Sequence, residues 1–163
     1  MRPDPREPRD GSDVRNALLP HFERFLGLYA DEGVAEPEWN VSFSAFRWRN
    51  TPEHGVNTTV SFGLARHLFE GRRQELLLAL RRTWDEAALS LIASIGTYLL
   101  DRHVPLNVGE TVRIPPPLAA AAQRLLVSPA DELVSGVGLC REYEPPVEVL
   151  WLRPDAGGDH YDL

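Results

Sequence analysis

The sequence predicts an α+β fold in one domain, and three observations lead there. Two long segments carry apolar residues at helical spacing. Other segments alternate apolar and polar residues as half-buried strands do, and one is apolar on both faces. The 163 residues also match the roughly 100–200 of a single domain. A chain of that length buries around 70% of the surface its unfolded form exposes, so it folds without a disulfide or metal staple.

The opening stretch "MRPDPREPRDGS" is rich in proline and charge and reads as a disordered tail over residues 1–12. The domain is expected over 13–152, with a mobile polar tail over 153–163. From Ser12, the first helix places Leu18, Leu19, Phe22, Phe25, Leu26 and Tyr29 on one face and runs to Gly33. Pro20 lies inside it and predicts a kink or a fresh start, because proline lacks the N–H and clashes with the preceding turn.

"EWNVSFSAFRWRN" alternates through Trp39, Val41, Phe43 and Ala45, then slips phase to Phe46 and Trp48. That slip predicts a strand with a β-bulge near Ala45. In "VNTTVSFGL" the residues Val56, Thr58, Val60, Phe62 and Leu64 share one face, which predicts a strand with a single buried side. Arg66–Arg73 reads as a polar loop, and "QELLLAL" as a central strand covered on both sides. Thr83 and Glu86 form a capping box before a second helix, whose buried stripe is Ala88, Leu91, Ile92, Ile95, Tyr98 and Leu99. Arg102 and His103 fall at its C-terminal end, where cations are favoured. After Pro105 short strands are expected: one following a turn at Gly109, then "QRLLVS", "GVGLC" and "PVEVLWLR".

Composition excludes several functions. The net charge is −7 and all 17 basic residues are arginine. An acidic balance opposes non-specific nucleic-acid binding, which neutralises phosphates with cations, and favours encounter with a basic partner. It also serves plain solubility. The absence of lysine is most simply a mark of a GC-rich genome. The single cysteine, Cys140, leaves no internal disulfide and no cysteine-based zinc cluster, in keeping with a reducing compartment. No segment is long and apolar enough to span a membrane, and the N-terminus has no secretory apolar core, so a cytoplasmic location is expected.

The residues with chemical capability do not assemble into a motif. The five histidines are scattered, with no H-E-x-x-H, and no serine lies in a G-x-S-x-G elbow. Gly136 and Gly138 lack the third glycine of a phosphate loop, because Arg141 stands there. Asp85 and Glu86 suit a helix N-terminus for dipole reasons alone. Cys140 beside Leu139 reads as a core residue, as do Trp48 and Trp151, whereas Trp84 is expected to be exposed. No catalytic residue, cofactor site or metal site is expected.

The ordered set of short motifs resembles the bacterial suppressor-of-fused-like domain family over roughly 41–152. Gly63 and Leu64 match a strand-ending Gly-Leu, and Glu75, Leu76 and Leu77 match an E-L-L strand. Trp84 matches the tryptophan before a long helix. Gly109, Thr111 and Val112 match G-x-T-[IV], and Leu125, Leu126 and Pro129 match L-L-x-x-P. The resemblance implies a mixed, mostly antiparallel sheet packed against two main helices. It further implies a non-enzymatic protein-binding domain, an immunity protein of a polymorphic toxin system that neutralises its cognate toxin, or else an adaptor for another cellular protein. The family's acidic helix after "LWLRP" has no counterpart, so no partner contact through it is expected.

The partner expected is a toxin domain with a basic surface, met by Glu32, Glu36, Glu38, Glu53 and Trp84. An enzyme with a dispersed site would instead gather His67, Glu75 and Cys140 into one pocket.

Overall fold

The computed structural model describes residues 14–27, 43–114, 124–155 and 160–163, of which 14–17 as backbone only. The segment apolar on both faces becomes β3 (Arg73–Arg81), and all but its last residue are buried. Around it the chain runs α1 (Val14–Leu26), β1 (Ser44–Trp48), β2 (Val56–Phe62), then α2 (Asp85–Arg102), β4 (Thr111–Arg113), β5 (Arg124–Pro129), β6 (Leu139–Cys140) and β7 (Val147–Pro154). The sheet order is β1-β2-β3-β7-β5-β4, with β6 added onto β7. Only β3 and β7 are parallel, so the fold is α+β with a mixed, mostly antiparallel open sheet and two helices.

Each face of the sheet has its own core. Alternation along β3 sends Leu76, Leu78 and Leu80 towards Leu91, Ile92, Ile95 and Leu99 of α2. The intervening Leu77 and Ala79 join Leu18, Phe22 and Leu26 of α1. Phe22 lies between Trp48 and Phe62, its ring centroid 5.9 and 5.3 Å from theirs. Pro20 falls within α1, which ends earlier than expected. Gly27 adopts φ 112° and its N–H closes on the Glu23 carbonyl, so this glycine rather than Gly33 stops the helix.

Four further expectations change. The bulge at Ala45 is absent: β1 pairs residue for residue with β2 from Ser44↔Phe62 to Trp48↔Thr58. The phase slip arises because Phe43 and Ala45 serve the α2 core while Phe46 and Trp48 serve the α1 core. β2 is buried on both faces, its polar side included. The capping box does not form either. A short 3₁₀ turn over Arg82–Trp84 precedes α2, and Trp84 at the N-cap makes no side-chain cap. The start of α2 is anchored by Asp85, whose two carboxylate oxygens each accept from Asn57 Nδ2 at 3.0 Å, with Arg47 Nη1 3.8 Å away.

The segment read as a mobile tail over 153–163 is held at both ends. Arg153 and Pro154 complete β7, and Leu163 is buried in the α2 core. The Tyr161 carbonyl accepts from the Arg81 N–H at 2.8 Å, which ties the C-terminal residues to the end of β3.

One close approach yields a test. A Cβ on Gly96 would lie 2.5 Å from Cζ of Phe43, a buried ring. Gly96→Ala is therefore expected to destabilise by about 1–3 kcal/mol through overpacking, against the gain of about 1 kcal/mol for such a change in an open helix. Urea denaturation reads this directly, and an unchanged or raised midpoint would show that the ring moves aside freely.

Candidate functional site

The C-terminal half of α2 does not close completely onto the sheet. Leu91, Ile95 and Leu99 on the helix face Val112 of β4 and Leu106 of the preceding loop across a cavity of about 530 Å³. That volume falls in the usual range of ligand clefts. Tyr98 and Val104 form its rim and are 54% and 48% exposed, and Val108 just beyond is 56% exposed. Together with Leu68 these are the large exposed apolar side chains among the described residues, so solvent meets apolar surface mainly near this groove. β4 is an edge strand, paired on one side by β5 and on the other by no described residue. An open sheet edge beside an apolar groove is a template for added strand.

The wall of the groove is fixed by side chains rather than by the sheet ladder. Gln74 on β3 donates from Nε2 to the Leu106 carbonyl at 2.8 Å and accepts from the Leu106 N–H at 2.9 Å. Its buried carboxamide thus substitutes for a neighbouring strand. Arg72 grips Glu148 of β7 with two bonds, Nε to Oε2 at 2.9 Å and Nη2 to Oε1 at 2.6 Å. Its Nη1 reaches Asn107 Oδ1 at 2.6 Å. Asn107 in turn donates to Glu110 from both side chain and backbone, and these bonds hold the Glu110 carboxyl below its ordinary range. The Leu106–Glu110 loop therefore presents a preorganised surface.

A second polar cluster lies under the end of β2. Glu75 is fully buried, with Oε1 accepting from the Ser61 hydroxyl at 2.8 Å and the Leu64 N–H at 3.1 Å, and Oε2 from the Gly63 N–H at 2.9 Å. Gly63 adopts φ 121°, a conformation that delivers its N–H to the carboxylate and favours glycine. Burial pushes Glu75 up to about 8, outweighing the hydrogen bonds that pull it down. The cluster closes the turn after β2 from inside, with Glu75 and Ser61 both fully buried.

The residues singled out in the sequence are dispersed. Glu32, Glu36 and Glu38 lie outside the described residues. Glu53 is exposed on the β1–β2 turn. The Arg82 N–H donates to the Gly55 carbonyl, which brings that turn beside the start of α2. Trp84 stands there, half-buried against the α2 core, its Nε1 donating to Asp162 Oδ1 at 3.2 Å. This end of α2 is remote along the helix from the groove. Of the three residues an enzyme would gather, Glu75 and Cys140 are buried, His67 is half-buried, and none lines the groove. Among the described residues no three of His, Cys, Asp and Glu gather as metal ligands. No described helix is long and apolar enough to cross a membrane.

Sequence reasoning missed the groove for a definite reason. Tyr98 continues the 3.6-residue stripe of α2 and so counts as core by spacing, yet the sheet ends at a three-residue strand before reaching it. The loop "HVPLNVGE", with Val104 and Val108 on either side of Pro105 in an otherwise turn-like stretch, was the available signal.

No family model matches the sequence, and neither does any curated protein. Among solved structures, the fold is similar to that of a Neisseria gonorrhoeae protein described as a homolog of suppressor of fused. The TM-score is 0.63 at 19% sequence identity, covering 89% of this chain and 79% of that one. The resemblance drawn from short motifs is thus matched in three dimensions, at the level of the fold.

Proposed function

We propose that this suppressor-of-fused-like fold acts as a non-enzymatic protein-binding domain, an immunity protein that neutralises a bacterial toxin by occupying it. The observation that carries the binding reading is the apolar groove running beside the edge of β4 that no described residue pairs. An extended segment laid along β4 would gain main-chain hydrogen bonds from the edge and bury alternate side chains against Ile95, Leu99 and Val112. The rigid Leu106–Glu110 wall favours such docking, because little ordering entropy is lost on binding. The toxin as partner follows from the family resemblance. An adaptor would use the same groove on a different protein.

Charge adds a separate contact to this reading. Between Leu28 and Ser42 the sequence carries Asp31, Glu32, Glu36 and Glu38 and no basic residue. With Glu53 these acids suit a basic toxin surface, and steering of that kind weakens as salt rises. Charge reversal at Glu32, Glu36, Glu38 and Glu53 tests this contact, and unchanged affinity and salt dependence would discard it.

The groove itself is tested by affinity capture from host lysate, at low and high salt, with wild type and a Tyr98→Ala/Val104→Ser double variant. Both positions are about half exposed, so folding should survive the change. The expected result is a secreted-toxin C-terminal domain retained by wild type and lost from the variant. Capture of a regulator or assembly component would favour the adaptor. Equal capture by both proteins would remove the groove from the reading.

A further inference from the structure

The groove carries a charge pattern opposite in sign to the chain as a whole. Arg102, in the last turn of α2, sets its guanidinium 5.3 Å from the Tyr98 ring centroid at the rim. Arg113 on β4 stands at the border of the groove, directly across from Arg124 of β5, so two like charges face each other on neighbouring strands. Such a pair is unfavourable unless an anion lies between or beside the cations. Among the described residues neither Arg102 nor Arg113 has a carboxylate partner. Glu110 is the acid lining the cavity, and its oxygens are already engaged by Asn107.

The two faces of β4 are also distinct. Val112 packs into the α2 core, so by strand alternation Thr111 and Arg113 stand on the opposite face. A segment added to this edge would send every second side chain into the apolar groove and the others towards Arg113 and Arg124.

From this arrangement we infer that the groove selects an extended segment alternating apolar and acidic residues, with Arg113 as its specificity-determining residue. The inference rests on the groove reading above and names the chemistry of its occupant. The acidic contacts proposed at Glu53 belong to the other edge of the sheet, where the β1–β2 turn lies, so the two can serve different surfaces of one partner.

The experiment pans a library of displayed random peptides on the full chain, on Arg113→Glu and on Tyr98→Ala/Val104→Ser, and sequences the enriched pools. Wild type is expected to enrich alternating apolar and acidic segments. The charge-reversed variant should bind those segments about tenfold or more weakly and shift its pool towards basic residues. Neutral or basic segments on wild type, or identical pools on wild type and the charge-reversed variant, would overturn the charge selection and leave the groove standing. Pools unaffected by Tyr98→Ala/Val104→Ser, or no enrichment at all, would overturn both.

Discussion

Raising the pH from about 5 to about 8 is expected to weaken the native state, and Glu75→Gln should abolish most of that loss. The folded pKa of Glu75 is raised from 4.5 to about 8. Across that window the native state keeps the proton and the unfolded chain has released it. Stability from this group is therefore fully present below about pH 4.5 and is lost as pH rises through the folded value, at about 1.4 kcal/mol per pH unit. The full span amounts to something on the order of 5 kcal/mol, large against the 5–15 kcal/mol of a typical domain. His67 acts with the opposite sign. Burial, then His103 and Arg66, lower its pKa, so its contribution grows with pH through the lower part of the same range. Comparing wild type with Glu75→Gln at each pH cancels that term.

The variant keeps one oxygen to accept from Ser61 and Leu64, but turns an amide donor towards the Gly63 N–H. It should start less stable at low pH, by about 1–3 kcal/mol for the opposed donors. Its stability should then stay nearly flat, so the two curves converge as the pH rises. Urea denaturation at a series of pH values gives both curves, and parallel curves would show that Glu75 titrates normally.

What could be read from the sequence was whatever depended on local periodicity. β3 and α2 were recognisable because each buries a long apolar face whose spacing is independent of its neighbours. β1 was recognisable as a strand, but its phase slip was misread, since a residue's choice between two cores depends on helices elsewhere in the chain. The C-terminal residues look like a solvated tail by composition, yet the lone Leu163 finds the α2 core and Asp162 finds the Trp84 indole. Both contacts join residues distant in sequence. The groove was hidden for the same reason: Tyr98 is exposed because the sheet ends at β4, a fact about topology rather than about the helix. Glu75, Gln74 and Arg72 appear in the sequence as polar residues at the start of an apolar strand. The turn after β2 supplies the partners of Glu75, and only the return of β7 alongside β3 and the passage of the Leu106 loop supply those of Gln74 and Arg72.

Gln74→Ala is expected to separate the groove from the rest of the fold. The carboxamide satisfies both the N–H and the carbonyl of Leu106, and all three groups are buried. Removing it leaves the Leu106 N–H without a partner and its carbonyl with only the long 3.5 Å contact from Arg72 Nη2, so a loss of about 1–4 kcal/mol is expected unless water enters. Entry of water would itself loosen the loop, because Arg72 would then hold it mainly through Asn107. Either route should raise amide exchange at Leu106 and Asn107 while β3 and β7 stay protected, since local opening follows local contacts. Partner affinity should fall too, because a mobile wall must be ordered again on binding. Gln74→Glu sharpens the test: its carboxylate can still accept from the Leu106 N–H but faces the Leu106 carbonyl without a donor. It should behave like alanine near neutral pH and recover partly in acid, where a protonated carboxyl can donate. Exchange measured by mass spectrometry, together with affinity for the captured partner, decides the matter. Loss of protection spread evenly over the sheet would mean that Gln74 supports the whole fold, whereas unchanged affinity despite a loosened loop would mean that the partner binds elsewhere.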